Sequence, residues 1–240
     1  LGPVFKKVNG TDGQVWSLNP AGGELVMGHH EGSFLLSASN SRILSSEPGA
    51  WTFVTMSDEY MLGGTYTGLV LYRKEKGQWV FDRKLDGLKE SCRIMVKDED
   101  QSIWISHPYR GVYNVRWNAG NKDKIDIRFF NQENGLPTNL NNYVFQIAGK
   151  AVFATEKGVF HFDRSKDTFV PDDDFNRLLD KQHRVRYLRE DTKGNVWYVT
   201  DHEAGMLIVN DFGLKKEVRK KVIPELAGKL VGGFAFLLPI

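Results

Sequence analysis

The sequence lacks the marks of several protein classes. It has a single cysteine, Cys92, which excludes an internal disulfide and a cysteine-cluster zinc site. No apolar run reaches the roughly 18–20 residues that a membrane-spanning helix requires. Neither charge dominates: 32 basic side chains face 30 acidic ones, for a net charge of +2. That balance argues against a disordered acidic tail and against a dedicated nucleic-acid binder. An initiator methionine, a basic-then-apolar leader and a lipidation motif are also absent. The chain opens on Leu1-Gly2-Pro3 and reads as a piece of a longer protein. No Gly-x-Ser-x-Gly elbow, P-loop, dinucleotide fingerprint or HExxH pair occurs. The expectation is therefore no catalytic residue, no metal ligand and no cofactor.

What is present is glycine and aromatic side chains: 24 Gly, 15 Phe, 8 Tyr and 6 Trp. Helical periodicity is poor. Apolar stretches such as Tyr60–Leu62, Val70–Tyr72, Ile103–Ile105, Val152–Ala154 and Val196–Val199 are short and β-branched or aromatic. Gly, Asn, Asp or Pro clusters bound them. The pattern is all-β.

Five segments share one plan: an apolar strand, a small residue, a few polar residues, then Gly and a second apolar strand. They read ELVMGHHEGSFLL, YMLGGTYTGLVLY, SIWISHPYRGVYNV, AVFATEKGVFHFD and VWYVTDHEAGMLIV. Their shared glycines are Gly32, Gly68, Gly111, Gly158 and Gly205, spaced by 36, 43, 47 and 47 residues. That spacing matches the roughly 40–50-residue period of four-stranded propeller blades. One blade cannot bury both of its faces, so neighbouring blades must complete the core.

The expected fold is thus an all-β β-propeller of four-stranded antiparallel blades, about five in this chain, over 13–49, 50–88, 89–137, 138–182 and 183–228. Pro3–Val8 reads as an orphan outer strand and Lys229–Leu238 as an orphan inner strand. Together they suggest an arc of a larger, about seven-bladed ring, with a closed five-blade propeller as the alternative.

The phrases ENGLPTNLNNYVFQI, DGLKESCRIMVKDEDQSIWIS and YLREDTKGNVWYVTDHEAGMLIV resemble the two-component-regulator propeller repeat. Asp191, Gly194, Val196, Trp197, Thr200 and Gly205 fit its Asp-x-x-Gly-x-x-Trp hairpin and closing glycine. Asp98, Ile103, Trp104, Ile105 and Gly111 fit with Gln101 in place of the turn glycine. Gly135, Leu136, Pro137 and Gly158 fit the joint and closing positions. The first two units lack the Asp-x-x-Gly turn. The resemblance implies a periplasmic ligand-sensing domain of an inner-membrane hybrid two-component or helix-turn-helix regulator, not an enzyme. It also implies an oligosaccharide or other small-molecule ligand, membrane contact only through the parent protein, and no nucleic acid bound by this domain. A homodimer is a further expectation. A propeller enzyme, lyase or glycan-cleaving, and a protein-interaction scaffold are the alternatives.

Strand order a-b-c-d places the b–c loops and the d–a links on one face and the a–b and c–d turns on the other. The b–c loops hold His29, His30, Tyr66, His107, Tyr109, Arg110, His202 and Glu203. Tyr rings stack on pyranose faces, while His, Arg and Glu bond hydroxyls; these eight residues are the candidate ligand-binding set. The alternative is that loops are polar because they meet water. The histidines lie on different repeats, too far apart for one metal ion. Asp172-Asp173-Asp174 reads as a loop or a helix-start cap, and the basic run 215–221 as a solvated outer strand or short helix. His107, His202 and Glu203 are the acid–base candidates an enzyme would need.

Overall fold

The structure, a computed structural model, describes residues 6–107, 109–118, 120–179, 184–211 and 216–227. Turn residues break the described chain into twenty short strands, each paired with its sequence neighbour. The first sheet is β1 (Val15–Ala21), β2 (Glu24–His29), β3 (Gly32–Leu36) and β4 (Ser41–Ser45). The second is β5 (Thr52–Thr55), β6 (Tyr60–Thr65), β7 (Gly68–Glu75) and β8 (Gln78–Leu85). The third is β9 (Ile94–Lys97), β10 (Ile103–His107), β11 (Gly111–Asn118) and β12 (Asn121–Phe130). The fourth is β13 (Tyr143–Ile147), β14 (Lys150–Thr155), β15 (Gly158–Asp163) and β16 (Thr168–Pro171). The fifth is β17 (Val185–Glu190), β18 (Val196–Thr200), β19 (Ala204–Asp211) and β20 (Lys216–Val222). Five antiparallel sheets of four strands, each in sequence order, are the blades that the repeat predicts.

Two short helices interrupt the pattern, α1 (Asp173–Leu178) and α2 (Pro224–Ala227). Asp172 caps α1 by accepting from the Phe175 N–H, and residues 216–221 of the basic run lie on the outer strand β20. No helix among the described residues is long and apolar enough to cross a membrane. Of the expected orphan strands, residues 6–8 lie outside any strand, and a single parallel bridge joins Asn9 to Asn40. The rest of Pro3–Val8, and Lys229–Leu238, fall outside the described residues.

The chain forms two compact units, Leu1–Met95 with Val115–Ile127, and Val96–Asn114 with Arg128–Ile240. In the first, sheet one offers Ala21, Val26 and Leu44 to Phe53, Met61, Val70, Tyr72 and Trp79 of sheet two. Polar atoms in this seam are paired: Trp79 Nε1 donates to the Ala21 carbonyl at 2.9 Å, and the Tyr72 and Ser33 hydroxyls lie 2.8 Å apart. In the second unit, Ile147, Val152, Ala154 and Val159 pack on Val185, Leu188, Val196, Tyr198 and Leu207. Trp104, fully buried, sits among Phe130, Phe153, Phe162 and Phe169 at ring separations of 5.0–5.8 Å. Burying each such side chain is worth about 1.5–3 kcal/mol, so neighbouring sheets supply the core that none has alone.

The Asp-x-x-Gly-x-x-Trp hairpin has a structural task. Asp191 accepts from the backbone N–H groups of Lys193 and Asn195, from Asn195 Nδ2 and from Trp197 Nε1. One carboxylate therefore closes the turn and anchors the indole of the next strand. Asp98 does the same for Trp104 at 2.9 Å, and also accepts from the Ala151 N–H and from Arg164 at 2.6 Å, both of the fourth sheet. Gln101 stands where Gly194 stands in the fifth sheet, and both are left-handed, with φ of 66° and 79°.

In the fourth sheet a side chain takes over from the end of the last strand. β16 ends early, at Pro171, and α1 follows. The buried Asn176 carboxamide then bonds both backbone groups of Val159, accepting its N–H at 2.8 Å and donating to its carbonyl at 2.7 Å. Asn176→Ala should cost about 2–3 kcal/mol, because a buried N–H loses its acceptor. Urea unfolding checks this, with Asn139→Ala, in an exposed loop, as the comparison.

The turns also set acid sensitivity. Burial pushes the Asp191 carboxyl up, but the hydrogen bonds from Asn195, Trp197 and Lys193 outweigh it and hold it below its ordinary value. Asp100 is likewise held well down, against burial, by Ser102 and Arg164. Both carboxyls are depressed in the folded state. Their contribution is complete above the unfolded carboxyl value of about 4 and is lost as pH falls through the folded values. Stability should therefore fall between about pH 4 and lower values. Asp191→Ala should be less stable at pH 6 and lose less on acidification, as read from denaturant midpoints at each pH.

Candidate functional site

The segment joining β4 to β5 runs against the loops of both first sheets. Gly49 donates to the His30 carbonyl at 2.7 Å, Ala50 to that of His29 at 3.1 Å, and Tyr66 to that of Pro48 at 3.3 Å. Loops after second strands and links ahead of first strands are thereby laced together. His30 Nδ1 and the Tyr66 hydroxyl lie 2.8 Å apart, so two of the expected site residues meet. His29 does not join them. It ends β2 instead of lying in the loop, is buried, and stands edge-on to Phe34 while its Nδ1 accepts from the Glu31 N–H. Its apolar neighbours and its place on the strand withdraw it from the surface.

Tyr66 continues into residues that loop composition did not suggest. Its ring meets Trp51 at 5.4 Å; Trp51 meets Trp16 at 4.2 Å; and the Arg93 guanidinium lies 4.4 Å from the Trp51 ring centroid. Trp51 and Arg93 immediately precede β5 and β9, and Trp16 is the second residue of β1. All three thus stand at the start of a first strand. Two buried polar atoms of this cluster have no hydrogen-bond partner, Trp16 Nε1 and Trp51 Nε1. Gly49 makes room for the stack, since a Cβ there would lie 2.2 Å from the Tyr66 ring.

The second unit repeats the motif. Arg184, directly ahead of β17, lies 5.9 Å from the ring of Tyr143, which opens β13, and its buried Nε is unpaired. The remaining predicted residues are in this unit. His107 ends β10, its Nδ1 accepting from the Tyr109 N–H and its carbonyl from that of Arg110. Tyr109 is 72% exposed, an aromatic face presented to solvent. His202 is exposed, 3.8 Å from Asp201. Glu203 is half-buried and engaged, accepting from the Tyr198 hydroxyl at 3.0 Å and paired with Lys220. Burial and the Glu203 charge together push the Tyr198 hydroxyl well up.

A cavity of about 470 Å³ opens in the same unit between the fourth and fifth sheets. Its apolar floor includes Val152, Phe175, Val196 and Leu207, with Arg164 and Asp172 at the rim. It lies toward the a–b and c–d turns, at the other end of the strands from Tyr109 and His202.

Trp16, Trp51, Arg93, Tyr143 and Arg184 were discoverable in the sequence. Each sits in or beside a d–a link, and those links share a face with the b–c loops. An aromatic or arginine at the start of an inner strand, or directly ahead of it, was the available signal.

No protein-family model matches the chain, and no curated protein matches it in sequence. Solved structures do match in shape. The extracellular domain of the hybrid two-component system BT4673 from B. thetaiotaomicron superposes with a TM-score of 0.62 at 17% identity, covering 89% of this chain and 28% of that one. The corresponding domain of BT3049 from the same organism gives 0.57 at 14%, covering 90% and 30%. A catalytically inactive virginiamycin B lyase from Staphylococcus aureus, solved with quinupristin, gives 0.58 at 11%, covering 90% and 72%. The chain therefore has the β-propeller fold of these regulator ectodomains. It spans under a third of the length of the two ectodomains.

Gly49→Ala should displace the Tyr66 ring and lower stability by about 1–3 kcal/mol, since its φ of 73° is also strained for alanine. Adding Tyr66→Ala should recover part of that loss. A double-mutant cycle by denaturant unfolding reads the coupling.

Proposed function

We propose that the chain is a ligand-sensing, extracytoplasmic propeller domain of a membrane-bound signal-transduction and transcription regulator, and that its ligand is an oligosaccharide. The observation that carries the reading is the run Trp16–Trp51–Tyr66–His30 with Arg93, at the strand starts and loops of one unit. Flat apolar faces next to hydrogen-bonding groups suit pyranose rings, which are apolar on their faces and polar at their edges. The shape likeness to extracellular domains of regulators supports the cellular side and the periplasmic location.

The likeness to a lyase is one of fold, and fold alone does not transfer chemistry. Glu203, one of the three acid–base candidates, is engaged by Tyr198 and Lys220. Sensing without turnover is the reading that the likeness to regulator ectodomains supports.

A thermal-shift screen of the intact protein against plant, host and fungal oligosaccharides tests it. At a hundredfold excess over Kd a ligand stabilises by about 2.7 kcal/mol, which in a domain of this size moves Tm by roughly 5–10 °C. A response to at least one glycan, without product formation, is expected; no response to any of them overturns the sugar reading.

A further inference from the structure

We infer that the ligand is acidic, a saccharide bearing a carboxylate or sulfate, and that Arg93 receives the anionic group. This deepens the sensing reading and rests on it.

The first ground is how the arginines are used. Arg73, Arg83, Arg128, Arg164 and Arg177 each face a carboxylate. Arg93 is exposed, and no carboxylate is paired with it among the described residues; an indole ring takes that place at 4.4 Å. Ring stacking fixes the plane of a guanidinium without using its N–H donors, because the attraction acts through the face. Its N–H donors are therefore not spent on the ring, and carboxylate and sulfate oxygens can accept them bidentately. Glu47, in the link beside Tyr66, is already committed to Lys84 at 2.8 Å.

The second ground is independent. Trp16 Nε1 and Trp51 Nε1 are buried and unpartnered in the same cluster. An indole N–H only donates, so whatever satisfies these groups must be an acceptor. Oxygen-rich, anionic ligands supply acceptors in number. The other unit repeats the device: Arg184 lies over Tyr143, again ahead of a first strand, with a buried unpaired Nε. Such recurrence at equivalent positions marks a use of the fold, not an isolated surface arginine.

Isothermal titration of the intact protein would use tetragalacturonate and a chondroitin sulfate tetrasaccharide as acidic probes, with cellotetraose and mannotetraose as neutral ones. At least one acidic probe should bind, and the two acidic arms distinguish carboxylate from sulfate. Affinity should fall at least tenfold in Arg93→Gln, recover in part in Arg93→Lys, stay unchanged in Arg73→Gln, and weaken with added salt. Melting temperatures of the variants confirm that each is folded. Binding of neutral probes alone, or an acidic affinity indifferent to Arg93→Gln, would overturn the inference and leave the sensing reading standing. Binding of no glycan of either class would overturn both.

Discussion

All five sheets depend on one close approach. At the glycine that opens the third strand of four sheets and stands second in that of the fifth, an oxygen lies where a side chain would begin. A Cβ on Gly32, Gly68, Gly111 or Gly205 would come within 2.1–2.3 Å of the carbonyl oxygen of Ser45, Leu88, Phe130 or Lys221. On Gly158 the oxygen is Asn176 Oδ1, at 2.4 Å. Any residue larger than glycine would push the last strand of the sheet, or the segment leaving it, away from the third. This is why the repeat can be read at all: loop lengths, strand lengths and hydrophobic residues vary from unit to unit, but the steric requirement does not.

The exception in the fourth sheet exposes the principle. There the final strand is short and a helix takes over, yet the oxygen is still supplied, by a side chain that bonds both backbone groups of Val159. Buried backbone groups must find partners, and the fold meets that demand by whatever residue is at hand. The aspartate turns work similarly. Asp98 satisfies an indole, a backbone N–H of the next sheet and an arginine at once, so a local hairpin signature also ties one sheet to its neighbour.

The blades were legible because their determinants are local. Gly194 and Trp197 follow Asp191 at fixed offsets, and the hydrogen bonds that matter span six residues or fewer. Substitution did not hide the plan: Gln101 occupies the turn position with a left-handed backbone. The site was legible only in part. His30 and Tyr66 were read as loop residues of different units, and their hydrogen bond follows from two loops meeting. His29 was read with them because it adjoins His30, but β2 ends between the two, leaving His29 buried on the strand and His30 exposed in the loop. Trp16, Trp51 and Arg93 come from three different repeats, and no local pattern announces that they stack.

From its sequence alone, this protein is an all-β chain of five four-stranded repeats, with the turn chemistry of each repeat and the face on which its variable residues gather. Those properties follow from steric and hydrogen-bonding rules acting within a few tens of residues. Which of the gathered residues touch was decided only by tertiary structure. The links between sheets bring one sheet's strand start beside another's, turning Trp51 into a support for Arg93 and removing His29 into the interior. Packing between sheets, not the order of residues within one, makes those contacts.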